Sequence, residues 1–275
     1  MALRASGAKY AGVSHDSVET NELESRLKQA RDDPDWIEAR SPDCIFFDAD
    51  RTHSTEGLGM YRNGAKEWTS YPMSKLAIAA GWYVPPAGDQ YFPDFIRGVA
   101  VAGGRVWMGS GRIGIAAMDL RDRTWSRYDV KIGVLPGIHT EVFYGDDEYL
   151  FAMSGGPTGG WEEHLPGVRE ADLGPALEVY SVRRDRWLRV TGVPREDVIQ
   201  FGWTSSGRVS IGCDTRRFAE GAILWLELCT WPRHVEAAPA RGGYLLWTEF
   251  PEPGAPLRYV IRKDLLETAF GGAGR

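Results

Sequence analysis

His139 and Glu141 stand two positions apart and could do acid–base chemistry. Residues i and i+2 of a β-strand face the same side, so the imidazole and the carboxylate would lie close together. Such a pair can exchange protons with a substrate or supply two ligands to a divalent metal ion. His164, which follows Glu163, is a further candidate acid–base residue. The spacing is not specific for a metal, so we expect no cofactor, with a divalent metal as the alternative.

A second group of polar residues is predicted to face a possible ligand. Alignment of the glycine-bounded turns places four of them at one equivalent position of successive strands: Arg97, Thr140, Gln200 and Glu236. Buried polar groups either satisfy one another or bind water, an ion or a ligand. If they bind a ligand, Arg97 would give bidentate, charge-assisted hydrogen bonds to an anionic or sugar-like molecule.

Two long connections are rich in aromatic and charged residues, which are typical of binding sites on loops. They span residues 72–94 and 154–175, and a shorter loop follows Cys213. Six residues of these loops are predicted to contact a ligand: Trp82, Tyr91, Asp94, Trp161, Asp214 and Arg216. The alternative is that they are ordinary solvated loop residues.

A short motif built around a tryptophan recurs along the chain and indicates the elements that must position these residues. Its four copies are Lys66–Tyr71, Arg123–Tyr128, Asp185–Val190 and Cys229–His234, and Leu266 replaces the tryptophan in a fifth, at Arg262–Glu267. Repeats separated by roughly 40–60 residues are typical of propellers and solenoids. We expect each tryptophan to pack as core between neighbouring units.

Short β-rich runs precede each tryptophan and predict four-stranded antiparallel units. The predicted strands of the second to fourth units are Phe95–Val101, Arg105–Met108, Ile113–Asp119, Ile138–Tyr144, Glu148–Met153, Ala176–Val182, Val198–Thr204, Arg208–Gly212 and Ala222–Leu226, and a last strand is predicted at Leu265–Phe270. The fold class is therefore predicted to be all-β, a β-propeller of five four-stranded blades over residues 36–270. Residues 1–35 would form an N-terminal segment with a short helix, and residues 271–275 a flexible tail.

The third unit resembles a kelch or related propeller repeat. Tyr149–Gly156 ends in a double glycine, and Val179-Tyr180-Ser181 and then Trp187 follow in the order of such a repeat. The resemblance covers most of residues 36–270 and implies a fold only, because propellers carry many unrelated activities.

The N-terminal helix is predicted to begin near Asn21 and to stop at Asp33-Pro34. Leu23, Leu27 and Ala30 fall on one face, so the helix is expected to brace the propeller, with a partner-binding element as the alternative. The ends of the ring would close either by simple packing or by an extra strand at residues 9–14.

The composition limits the classes of partner that the chain is expected to bind. The formal net charge is −6 and no Lys/Arg run exceeds two residues, so we expect no nucleic-acid partner. No apolar run approaches the roughly 18 residues of a membrane span, and no secretory signal is recognisable, so no membrane partner and a cytoplasmic location are expected. Three cysteines without paired spacing indicate free thiols.

Two functions remain open from the sequence. The first is a binding or interaction module that uses its aromatic- and arginine-rich loops to bind a protein or a small polar ligand. The second is an enzyme, a hydrolase or lyase, with a His/carboxylate site that a metal could assist. The sequence has no Gly-x-Ser-x-Gly, His-Glu-x-x-His or phosphate-loop motif, which favours the first function.

Overall fold

Antiparallel β-sheet dominates the structure. It is a computed structural model that describes residues 5–15, 17–30, 38–49, 57–82, 96–110, 114–128, 140–154, 176–190, 201–204, 207–210, 227–228, 234–240, 243–249 and 257–272. Within these ranges every strand pairing is antiparallel and helices are few. The all-β prediction is confirmed.

The described strands form five separate sheets. In chain order the strands are β1 (Ala5–Lys9), β2 (Val13–His15), β3 (Glu38–Arg40), β4 (Cys44–Asp48), β5 (Leu58–Arg62), β6 (Trp68–Tyr71), β7 (Ile96–Ala102), β8 (Arg105–Ser110), β9 (Ile115–Asp119), β10 (Thr124–Tyr128), β11 (Thr140–Gly145), β12 (Tyr149–Ser154), β13 (Ala176–Ser181), β14 (Arg186–Val190), β15 (Phe201–Thr204), β16 (Gly207–Ser210), β17 (Glu227–Leu228), β18 (His234–Ala240), β19 (Gly243–Glu249) and β20 (Leu257–Arg262). The helices are α1 (Ser17–Ala30), α2 (Met73–Ala79) and α3 (Lys263–Gly272).

Each sheet contains a meander of strands that are consecutive in the chain. Sheet 1 is β3 to β6 with β2 added beside β6, and sheet 2 is β7 to β10 with β1 added beside β10. Sheet 3 is β11 to β14, sheet 4 is β15 to β17, and sheet 5 is β18 to β20. The strands predicted for the second and third units are confirmed. In sheet 4 the third strand is Glu227–Leu228, whereas Ala222–Leu226 was predicted and lies outside the described residues.

Sheets 2 and 3 meet along their first strands, β7 and β11. Gly98 has a φ of +89°, and a Cβ built there would lie 1.8 Å from the carbonyl oxygen of Val142. A Cβ on Gly145 would lie 2.8 Å from the carbonyl oxygen of Val101. Only glycine allows two backbones to approach so closely. The two contacts set β7 and β11 side by side at a constant offset.

Two of the repeated tryptophans pack across neighbouring sheets, as predicted. Trp125 of sheet 2 is fully buried, and its ring centroid lies 5.3 Å from that of Tyr71 in sheet 1. Trp187 of sheet 3 lies 6.0 Å from Trp107 and 5.7 Å from Tyr128, both in sheet 2. These contacts join sheets 1, 2 and 3 into a continuous row. Trp231 lies outside the described residues.

Trp68, in the first repeat, is covered by the N-terminal segment. His15 stacks on its indole at 3.9 Å with an interplanar angle of 12°. Leu23 and Leu27 of α1 are buried in the same apolar cluster, as a brace requires. The helix begins at Ser17, four residues before the predicted start, and the side chain of Thr20 donates to the carbonyl oxygen of Lys66 at 3.2 Å.

The segment before α1 forms two short strands instead of the single extra strand predicted at residues 9–14. β1 pairs with β10 and β2 pairs with β6, so the chain covers the outer strands of two sheets in succession. Gly12, between them, has a φ of +77°, and a Cβ there would lie 2.7 Å from the carbonyl oxygen of Ser70. Covering the outer strands satisfies backbone groups that would otherwise be exposed.

Residues 265–270 are helical, so the predicted last strand is wrong. They belong to α3, where Leu266 and Phe270 are buried and four positions apart. That spacing places both side chains on one face of the helix. The predicted loop 72–94 likewise contains α2, which buries Met73, Leu76 and Ala77.

Helix α3 is held against sheet 3 by a polar cluster around Glu267. Tyr149 donates its hydroxyl to Glu267, and Arg184 donates to the same carboxylate at 2.7 Å. The hydrogen bond from Tyr149 and the charge of Arg184 hold the pKa of Glu267 below its usual range. Phe270 stacks on Tyr149 at 6.1 Å in the apolar part of this contact.

The docking of α3 should weaken in acid. Because the pKa of Glu267 is lower in the folded than in the unfolded protein, the carboxylate stabilises the fold above its unfolded pKa. This stabilisation is lost as the pH falls through the lower, folded pKa. We expect urea midpoints of the wild type and of Glu267→Gln to converge below about pH 4 and to differ at neutral pH. A constant difference at all pH values would contradict the assignment.

Candidate functional site

The two ends of sheets 2 and 3 differ in how the chain connects the strands. The loop rim is the end at which the following residues stand: Ile96, Ser110, Ile115, Tyr128, Thr140, Ser154, Ala176 and Val190. Pairings such as Ile96 with Ser110 and Ser154 with Ala176 fix this common end. Thr140 joins the two sheets there, because its hydroxyl donates to the carbonyl oxygen of Gly114 at 2.6 Å.

The turn rim is the opposite end, and tight turns close it. These turns are Gly103–Gly104 and residues 120–123, 146–148 and 182–185. At the loop rim the chain instead leaves or re-enters the described strands through residues 83–95, 111–113, 129–139, 155–175 and 191–200. The longer connections of both sheets therefore start or end at this rim.

Arg97 and Glu141, two predicted site residues, stand at the loop rim in β7 and β11. Since Gly98 lies against Val142, the backbones of Arg97 and Glu141 are at the same level of the two strands. Glu236 lies in β18 of sheet 5, a strand that also contacts β11. The other predicted residues, apart from Trp82, lie outside the described residues: His139, His164, Gln200, Tyr91, Asp94, Trp161, Asp214 and Arg216.

Thr140, which the sequence aligned with Arg97, is internally satisfied. Its side chain is fully buried, and its hydroxyl donates a hydrogen bond to the carbonyl oxygen of Gly114. Of the four aligned polar residues, Thr140 therefore joins two sheets through its hydroxyl.

Trp82, predicted to contact a ligand, is packed in the core. Only 8% of the residue is exposed, and it belongs to the apolar cluster of Met73 and Leu76. Gly81 has a φ of +68° and ends α2, and the Trp82 amide donates to the carbonyl of Ala77 at 2.8 Å. Its own carbonyl accepts from the buried Arg127 at 2.5 Å. The end of α2 thus turns this indole inward, which the loop prediction did not anticipate.

A cavity of about 310 Å³ lies at the turn rim, between sheets 2 and 3. Its wall includes the charged residues Arg105 and Asp185 and the aromatic residues Trp107 and Tyr180. Arg105 and Trp107 come from β8, Tyr180 from β13, and Asp185 from the turn that precedes β14. The cavity is therefore built by two neighbouring sheets.

A chain of donors and acceptors lines this cavity. Arg105 Nη1 donates to the hydroxyl of Tyr180 at 3.1 Å, and Tyr180 donates to Asp185 Oδ1. Arg105 Nη1 lies 3.8 Å from Asp185 Oδ1, which is an ion pair without a hydrogen bond. Burial and the hydrogen bond to Asp185 raise the pKa of Tyr180. The phenol of Tyr180 consequently stays neutral, so its hydroxyl can donate the hydrogen bond to Asp185.

Asp185 was not predicted as a site residue, although its position in the repeated motif distinguishes it. Asp185 and Arg123 both stand two residues before a repeated tryptophan, and both have positive φ, +48° and +61°. At this position in its turn, each side chain extends to the preceding sheet. Arg123 donates to the hydroxyl of Tyr71 in sheet 1 at 3.5 Å, and Asp185 Oδ1 lies 3.8 Å from Nη1 of Arg105 in sheet 2. A polar residue at this position of each repeat predicts such a contact.

The described residues contain neither a cluster of metal ligands nor a membrane-spanning helix. Within the ranges given above, no group of three or more His, Cys, Asp or Glu side chains is arranged to hold a metal ion. No helix in those ranges is both long and apolar enough to span a bilayer.

Comparison with known proteins gives a weak likeness. No family model and no curated protein matches the sequence. Among solved structures, the chain is similar to the extracellular domain of a hybrid two-component system protein from B. thetaiotaomicron, with 15% identity and a TM-score of 0.38. The match covers 80% of this chain and 27% of that chain, so this chain spans about a quarter of the longer protein. This match does not establish that the chain is related to kelch repeats.

Proposed function

We propose that the chain is a five-bladed β-propeller that acts as a binding module, with its ligand site on the loop rim. The ligand is a protein or a small polar or anionic molecule. The observation that carries the proposal is the division between the rims. Residues 83–95, 111–113, 129–139, 155–175 and 191–200 all begin or end at the loop rim, whereas the turn rim is closed by tight turns. Loops on a rigid scaffold are where binding sites usually lie.

Three features support the propeller. The described strands form five sheets, each with a meander of consecutive strands. The first strands β3, β7 and β11 lie next to one another in order, and β18 also contacts β11. Trp125 and Trp187 each pack on the preceding sheet. Radial sheets with their first strands around a common axis would give these contacts.

The positions of Arg97 and Glu141 support a polar ligand. Both stand in first strands at the loop rim, at the same level of β7 and β11. In a propeller these strands surround the central channel, so the two residues would stand at its mouth. An arginine there would bind a carboxylate or phosphate through its planar pair of donors.

A thermal-shift screen with matched arginine variants tests this function. The probes are divalent metals, sugars, nucleotides and dicarboxylates, applied to the wild type, Arg97→Ala and Arg121→Ala. Arg121 is exposed in the turn at residues 120–123 of the turn rim and is the charge control. Because binding to the native state raises the melting temperature, we expect one class of probe to stabilise the wild type and Arg121→Ala but not Arg97→Ala. An equal shift in all three proteins would contradict a ligand site at Arg97.

A further inference from the structure

The outer strands of sheets 1 and 2 both pair with a further strand from the N-terminal segment. β2 pairs with β6, where His15 stands opposite Trp68, and β1 pairs with β10, where Ala8 stands opposite Trp125. Both pairings are antiparallel, and both place a residue of the added strand opposite the tryptophan of the repeated motif. In two units of this protein, the strand that carries the motif therefore accepts an extended segment along its outer edge.

Strand β14 carries the same motif and is the outer strand of sheet 3. Its Trp187 corresponds to Trp125 of β10, and Arg186 stands where β10 has Thr124. Within the described residues, β14 pairs with β13 on one side and with no strand on the other. An outer edge of this kind presents backbone donors and acceptors to which an extended segment of another chain can hydrogen-bond.

The added strands of sheets 1 and 2 lie beside acidic side chains. Ser14 of β2 donates to Glu67 Oε2 at 3.0 Å, and Glu67 directly precedes the tryptophan of its motif. Lys9 of β1 stands opposite Thr124, whose hydroxyl donates to Asp122 Oδ1 at 2.7 Å. The residues before these two tryptophans thus meet a donor or a cation on the added strand.

In β14 the charge at this position is reversed. The residue before Trp187 is Arg186, which is partly exposed and makes no ion pair within the described part of the chain. Arg183, in the turn that precedes the strand, is exposed as well. The outer edge of β14 is therefore basic at the position where β6 is acidic.

The other two charged residues of this turn have partners on either side of sheet 3. Arg184 Nη2 lies 2.7 Å from Glu267 Oε2 of α3, and Asp185 Oδ1 lies 3.8 Å from Arg105 Nη1 of sheet 2. Their charges are balanced within the protein, so Arg183 and Arg186 set the charge that β14 offers to a partner.

We propose that the outer edge of β14 binds an extended, acidic segment of a partner protein as an added antiparallel strand. In the register of β1 on β10, one residue of the partner stands opposite Arg186, and this residue is an aspartate or a glutamate. Opposite charges at directly facing positions of two antiparallel strands stabilise the pairing, because their Cβ atoms are only about 5 Å apart. The edge lies on the outside of sheet 3, so the proposal does not depend on a ligand at the loop rim.

Fluorescence anisotropy with two labelled peptides tests the proposal. One peptide has the sequence of residues 1–12, which contain β1, and the other has the same sequence with Lys9→Glu. We expect the Lys9→Glu peptide to bind the wild type about fivefold more tightly or better, the effect of about one favourable charge pair between strands. In hydrogen exchange by mass spectrometry, this peptide should slow exchange in residues 186–190 and leave residues 124–128, which β1 already covers, unchanged.

Arg186→Glu reverses the charge of the edge and should reverse the preference. This variant should bind the unaltered peptide, which places Lys9 opposite position 186, more tightly than the Lys9→Glu peptide. Arg121→Glu, at an exposed position in the turn before β10, is the matched control and should bind both peptides like the wild type. Thermal denaturation reports whether each variant is folded, and the two measurements on the wild type stand without them.

Four outcomes would overturn the proposal. Failure of the Lys9→Glu peptide to bind the wild type, or equal binding of both peptides by the wild type and Arg186→Glu, would leave Arg186 as a charge that only keeps this edge from pairing. Slow exchange at all amides of residues 186–190 in the free monomer would show that another part of the chain covers the edge. A dimer in sedimentation velocity that Arg186→Glu dissociates would assign the edge to a second copy of the chain.

Discussion

Replacing Gly98 by alanine is expected to lower the free energy of unfolding by about 3 kcal/mol or more, since a strained φ and an overpacked contact each cost roughly 1–3 kcal/mol. Gly98 has a φ of +89°, and the added Cβ would lie 1.8 Å from the carbonyl oxygen of Val142. That oxygen belongs to the backbone of β11 and cannot rotate away as a side chain would. The substitution therefore forces sheets 2 and 3 apart along their first strands.

Gly104→Ala is the matched control for Gly98→Ala. Gly104 has a φ of +71°, and a Cβ there would meet no atom within 4 Å. The control isolates the cost of the backbone conformation, about 1–2 kcal/mol. Urea denaturation of both variants measures the difference. If Gly98→Ala were no more destabilising than Gly104→Ala, β7 and β11 would not approach as closely as the structure shows.

Replacing Trp107 by alanine should cost about 3–5 kcal/mol of stability, the range for a large aromatic side chain removed from a core. Trp107 is fully buried, and its indole N–H donates to the carbonyl oxygen of Ala102 at 3.0 Å. Its ring lies 4.7 Å from that of Tyr180 in sheet 3, so the substitution removes packing within sheet 2 and between the two sheets.

Ile78→Ala is the control for the loss of a large apolar side chain. Ile78 is 50% exposed on α2, and changes at exposed positions usually stay within about 0.5 kcal/mol. Urea midpoints of Trp107→Ala and Ile78→Ala should therefore differ widely. A cost below about 1 kcal/mol for Trp107→Ala would contradict a core built between sheets 2 and 3.

Strands and turns were predictable where local chemistry decides them. Ala102-Gly103-Gly104 predicted a hairpin, and both glycines have positive φ in the structure. The turn after Gly145 was equally readable, because Asp146 accepts the amides of Glu148 and Tyr149, both at 2.8 Å. Such hydrogen bonds involve residues only two or three positions apart, so the sequence contains all the information they need.

The errors lie where tertiary contacts decide the structure. Residues 265–270 overlap the fifth copy of the tryptophan motif, and the repeat favoured a strand there. The segment is helical because the helix buries Leu266 and Phe270 together, and because Arg184, distant in sequence, binds Glu267. Residues 72–94 were read as a loop because the sequence alone did not show that α2 and Trp82 enter the core beside Arg127.

The candidate sites show the same limit. Arg97 and Glu141 were chosen from the alignment of turns, and the structure places their backbones side by side. Arg105, Tyr180 and Asp185 were not chosen, because they come from three places in the sequence and meet only when sheets 2 and 3 pack. The position of a residue before a repeated tryptophan can be read from the local sequence, whereas its partner on the preceding sheet cannot.

Hydrogen exchange by mass spectrometry, with and without the most stabilising probe of the thermal-shift screen, tests the central claim most directly. That claim is that the loop rim binds the ligand. We expect the probe to slow exchange in the peptides that contain residues 96–98 and 140–142, at the loop rim, and to leave residues 103–105 and 182–185 of the turn rim unchanged. Slower exchange confined to the turn rim would contradict it.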